Sequence, residues 1–134
     1  MKRIGMYAVG LVLLGTLTAC GNSQDTALSD LLNRPALETD ALPAEAADQS
    51  DVKETTTRLA GQDTNGRDYF VGTNDNDDPC LVIVNNQGLW GSSCGRLGEF
   101  FLSFDGVSAW LGTEPYEEYV ATETLGDLVS IAPN

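Results

Sequence analysis

The chain has 134 residues, 20 of them acidic and 7 basic, for a net charge of −13, and it contains no histidine. Such acidity is unsuited to nucleic acid, where basic groups must displace counterions from phosphate, and to electrostatic docking on anionic lipid. Without histidine there are no His-based triads, imidazole acid–base pairs or His-containing metal sites; no phosphate-loop motif occurs, and no cofactor is expected.

Lys2-Arg3 precede an uncharged run from Ile4 to Ala19. A basic start, an apolar stretch and small residues before a cut describe an export signal. The run spans roughly 24 Å as a helix, short of the ~30 Å hydrocarbon core of a bilayer. Leu17-Thr18-Ala19-Cys20 resembles the lipobox of bacterial lipoproteins. That resemblance implies that residues 1–19 are a signal peptide and that Cys20, bearing a diacylglyceryl group, is the mature N-terminus. The expected location is the extracytoplasmic face of the cell membrane. Two acyl chains anchor a protein stably where one does so only marginally. The alternatives are an uncleaved anchor and a signal without lipid. Cleavage removes Lys2 and Arg3 and no acid, so the net charge moves from −13 to −15.

Residues 20–54 hold few bulky apolar groups and no aromatic residue, and they are rich in Ala, Asp, Glu and Ser. Such a composition buries too little surface to offset its ordering entropy alone. It is expected to be a flexible acidic tether with short helical pieces, plain disorder being the alternative. Ala27, Leu28, Leu31 and Leu32 fall at helical spacing until Pro35, and 43–49 has room for another turn or two.

Residues 55–134 read as an all-β domain, a small antiparallel sandwich or barrel with one disulfide hairpin. Strands are expected at 55–60, 69–71, 81–84, 100–104, 107–111, 116–121 and 128–131, punctuated by turn signals such as Asn65-Gly66 and Asn74–Pro79. Asp105-Gly106 is a type I′ hairpin signal.

With Cys20 assigned to lipid, Cys80 and Cys94 remain. An exported chain favours a disulfide between them over a zinc site, which two thiols without histidine would serve poorly. Asn85-Asn86-Gln87-Gly88 has Asn and Gly where a type I turn wants them. A three-residue loop, 86–88, ending on a left-handed Gly puts Asn85 opposite Leu89. Counting back along regular strands, Cys80 then faces Cys94, within disulfide reach. A bulge at Gly91-Ser92-Ser93 would break that count.

The order Leu32-Asn33-Arg34-Pro35, Asp40-Ala41-Leu42-Pro43, Thr57-Arg58-Leu59, Asp68-Tyr69-Phe70-Val71-Gly72, Cys80-Leu81-Val82-Ile83-Val84, Trp90-Gly91 and Cys94-Gly95 resembles a group of uncharacterised exported proteins. These are small lipoproteins or membrane-anchored domains of high-GC Gram-positive bacteria. The resemblance covers residues 31–111. It implies an extracytoplasmic domain with one disulfide, and neither an activity nor a catalytic residue.

Three sets of residues invite chemistry. Gly91-Ser92-Ser93-Cys94-Gly95 matches G-x-S-x-G, but a nucleophile elbow needs a strand-to-helix turn and a base, and here the context is β without histidine. Trp90 and Trp110 have the stacking surface a sugar uses, although such rings more often fill the core of a small β domain. Asn74-Asp75-Asn76-Asp77-Asp78 offers hard oxygens to calcium, with Asp75, Asp77 and Asp78 as weak candidate ligands and Asp63, Asn65 and Asp68 as a lesser cluster. The spacing is not that of an EF-hand, and Asn and Asp also favour plain turns. No enzymatic activity is expected. The leading expectation is a binding or interaction module, with an envelope protein as partner and an exposed apolar or acidic patch. A spacer lipoprotein with an evenly polar surface, and a glycan- or cation-binding domain with an exposed Trp beside acids, are the alternatives.

Overall fold

Cys80-Leu81-Val82-Ile83-Val84 is apolar at every position, so the strand it forms needs cover on both faces. A computed structural model describes residues 23–134 and supplies two different covers. The leader, the 17–20 motif and Cys20 lie outside the described residues.

The first sheet is β1 (Arg58–Gln62), β2 (Asp68–Thr73), β3 (Pro79–Val84) and β4 (Trp90–Cys94), paired antiparallel in chain order. The second is β5 (Leu102–Phe104), β6 (Val107–Leu111), β7 (Glu123–Leu125) and β8 (Val129–Pro133), in the order β5-β6-β8-β7. Tyr69, Val71, Leu81 and Ile83 point from the first sheet into the main core, where they join Ala109, Leu111 and Ile131 from the second. The expected all-β sandwich with one disulfide is therefore present. Small residues let its edges close: a Cβ on Gly91 would stand 2.9 Å from the Phe104 ring, and one on Gly61 3.4 Å from Leu125.

The three hairpins of the first sheet are built alike. Asp63, Asn74 and Asn85 each open a three-residue loop that closes on a left-handed residue, Gly66 (φ 84°), Asp77 (φ 60°) or Gly88 (φ 77°). In each, one side-chain oxygen accepts the N–H groups two and four residues on, at 2.9–3.0 Å. The Asx residues recur at a constant spacing, a periodicity that a search for similar strands does not notice. In the third hairpin Asn85 N–H bonds the Leu89 carbonyl at 2.9 Å, and the strands run without a bulge to Cys80 opposite Cys94. The disulfide forms there, with Cα atoms 4.0 Å apart. Opposed residues that exchange no backbone hydrogen bonds approach most closely, and such a pair suits a bridge.

Two expectations need correction. The helical pieces of the 20–54 segment are present as α1 (Ser23–Asn33) and α2 (Ala44–Gln49), but the described part is not a free tether. Ala27, Leu28, Leu31 and Leu32 pack against the main core, and Leu42, Ala46 and Val52 bury themselves on Phe70, Val82 and Val84 at the back of the first sheet. This segment cannot fold alone, yet it folds on a surface that itself needs cover. The described part of this segment thus shares its apolar clusters with the sheets, and Glu54–Thr56 is a 3₁₀ turn leading into β1. Likewise 116–121 is no strand; only an isolated bridge links Tyr116 to Tyr119, and β7 lies further on. Aromatic β-propensity reports fit to a half-buried surface, and these rings find one by folding over Trp110.

Asp40 holds the cover in place. Its carboxylate, 2% exposed, receives both terminal nitrogens of Arg34 (2.7 and 2.8 Å), Leu37 N–H (2.6 Å) and Leu59 N–H (2.7 Å). The last of these is an outward-facing donor on β1, so Asp40 also closes that sheet edge. Thr57 Oγ1 donates to the Asp40 carbonyl, and Arg58 Nε to that of Arg34. The Arg34 hydrogen bonds, helped by the two N–H groups, hold the Asp40 carboxyl far below its usual value against the opposing effect of burial.

Candidate functional site

The acidic turn at 74–78 is occupied with its own geometry. Asn74 Oδ1 accepts two backbone N–H groups, Asp77 pairs with Lys53 at 3.2 Å, and Asp75 is exposed. Among the described residues no three His, Cys, Asp or Glu side chains are placed to hold a metal ion, so Asp75, Asp77 and Asp78 are not brought together as ligands.

The lesser cluster separates. Asp68 takes a hydrogen bond from Gln62 at 3.0 Å, whereas Asp63 is buried and accepts from Asn65 N, Arg67 N, Arg67 Nη1 and the Tyr69 hydroxyl. Burial alone would raise the Asp63 carboxyl, but these donors outweigh it and hold it below the usual carboxylate value. Burial, with the bond to Asp63, pushes the Tyr69 phenol up. Arg67 is spent as well: Nε and Nη2 reach Asp105 Oδ2 and the Asp105 carbonyl, both at 2.9 Å. Thr64 N–H donates to Glu123 at 3.1 Å beside a cleft of about 350 Å³. Every charged group here has a protein partner. The network ties the Asp63 and Asp105 turns together across the two sheets.

Gly91–Gly95 lies on β4 and continues past it, with Cys94 bridged, so no strand-to-helix elbow presents Ser93. Trp90 is partly buried against the cluster behind the first sheet. Trp110 is 2% exposed and donates its Nε1–H to the Glu114 carbonyl at 2.8 Å. Neither ring is the open platform that sugar stacking requires.

One feature is displayed to solvent. On the outer face of the second sheet, Phe101, Tyr116 and Tyr119 surround Trp110. Ring centroids lie 5.3 and 5.8 Å from Phe101 to the tyrosines, and 6.4 and 6.3 Å from Trp110 to them. The strap between β6 and β7 brings the tyrosines there, and it carries Val120 at 69% exposure and three exposed acids, Glu114, Glu117 and Glu118. Sequence reasoning placed 116–121 in a strand and passed over this patch. The aromatic pair flanking Glu117-Glu118, just after Pro115, was the available signal.

Among the described residues no helix is long and apolar enough to cross a membrane. No protein-family model, curated protein or solved structure matches the chain.

Proposed function

We propose that the chain is an extracytoplasmic lipoprotein, anchored through Cys20, whose folded part is a non-enzymatic interaction module of the cell envelope. The leader carries this reading: Lys2-Arg3, an uncharged run too short to span, and Leu17-Thr18-Ala19-Cys20. The Cys80–Cys94 disulfide is in keeping with an oxidising compartment. The displayed aromatic patch with acids beside it favours an interaction module over an evenly polar spacer. Ser23 already begins α1, so the link from Cys20 extends at most ~10 Å. The module then works close to the bilayer surface.

Intact mass of the membrane-associated protein, with and without reduction, tests the reading. The expected species is residues 20–134 plus a diacylglyceryl group, two hydrogens lighter before reduction. The mass of an uncleaved chain, or two free thiols, would overturn it.

A further inference from the structure

We propose that the aromatic patch on the outer face of the second sheet docks a cationic protein segment, one that presents Arg or Lys side chains. The proposal rests on the interaction-module reading and gives it a surface and a partner chemistry. Two independent observations carry it. First, the rings are not a sealed core. Phe101, Tyr116 and Tyr119 are all partly exposed. Ring faces attract cations through their quadrupole, and tyrosine pairs that attraction with a polar tip. Second, the strap that brings the tyrosines there carries charge of one sign. After Arg96 the chain contains no Lys or Arg, yet it carries Glu114, Glu117 and Glu118 on the strap, none ion-paired among the described residues. The ion-paired acids elsewhere, Asp40, Asp63, Asp77 and Asp105, all face bases from the first ninety-five residues. An acidic rim on an aromatic floor complements a guanidinium or ammonium and repels an anionic lipid surface.

The test uses the full chain in neutral detergent and an oligo-arginine peptide as probe, followed by NMR. The expected perturbations centre on the Trp110 indole and the Tyr116 and Tyr119 rings. Glu117→Gln with Glu118→Gln is expected to weaken binding about fivefold at unchanged melting temperature. Asp51→Asn with Asp75→Asn removes the same charge elsewhere and is expected to leave affinity unchanged. Perturbations spread over the 74–78 turn, equal losses in both double variants, or no binding would overturn the proposal. Partner capture on the intact cell surface reads the module separately: a cross-link formed only through another face removes this surface and leaves the module.

Discussion

Replacing Asp40 by Ala tests whether the N-terminal segment is part of the fold. The substitution removes the acceptor of four hydrogen bonds, two of them from the main-chain N–H groups of Leu37 and Leu59. Leu37 is on the surface, 60% exposed, and its N–H can turn to water. Leu59 N–H, on β1 beneath the cover, has no such recourse. An orphaned buried donor costs about 1–3 kcal/mol and each lost net bond about 1 more, so a loss of about 3 kcal/mol is expected. Against a total stability of about 5–15 kcal/mol this is a large share. It corresponds to a melting temperature lower by on the order of 10–15 °C. Acid sensitivity gives a second readout. The folded Asp40 carboxyl lies below its unfolded value, so its contribution is complete above about pH 4, the usual unfolded range. The contribution fades as pH falls toward the lower folded value, and this part of the acid-induced loss is absent in Asp40→Ala. Urea unfolding at neutral pH and at pH 3 measures both. A loss under about 1 kcal/mol at neutral pH, or the same pH slope as the parent, would refute the assignment of Asp40 as the clamp.

Three further outcomes follow from the packing. A chain beginning at Thr55 uncovers Phe70, Val82 and Val84 and is expected to aggregate or to lose cooperative unfolding, checked by calorimetry and light scattering; a melt like the parent's would contradict the cover. In Gly72→Ala the new methyl would meet Val52 Cγ1 at 2.6 Å and Thr56 Oγ1 at 3.1 Å, so about 1–3 kcal/mol of destabilisation is expected in chemical denaturation. Replacing Cys80 and Cys94 together by Ser releases a loop of about 15 residues and is expected to cost roughly 3 kcal/mol, read as a shift in urea midpoint.

The disulfide register was legible because it is local. Asn85 and Gly88 select a loop of defined length, and loop length alone decides which residues stand opposite, out to Cys80 and Cys94. The Asp105-Gly106 turn was legible for the same reason, and both residues do take positive φ, 52° and 82°. The 74–78 acids were ambiguous in the sequence. A turn and a calcium loop call on the same residue types, and in the folded chain Asn74 Oδ1 organises the turn by accepting the Asn76 and Asp78 N–H groups.

From its residues alone the chain determined its all-β class, its hairpins and the cysteine pairing, together with a leader whose meaning the mass measurement tests. Tertiary structure decided that Leu42, Ala46 and Val52 cover the back of the first sheet, that Asp40 clamps that cover to β1, and that Tyr116 and Tyr119 close over Trp110. Periodicity reveals that a face is apolar but not what will lie against it, because that partner is distant in sequence and its own composition need not betray it. The run Cys80–Val84 announced two buried faces; only the folded chain shows that the acidic N-terminal segment supplies the second.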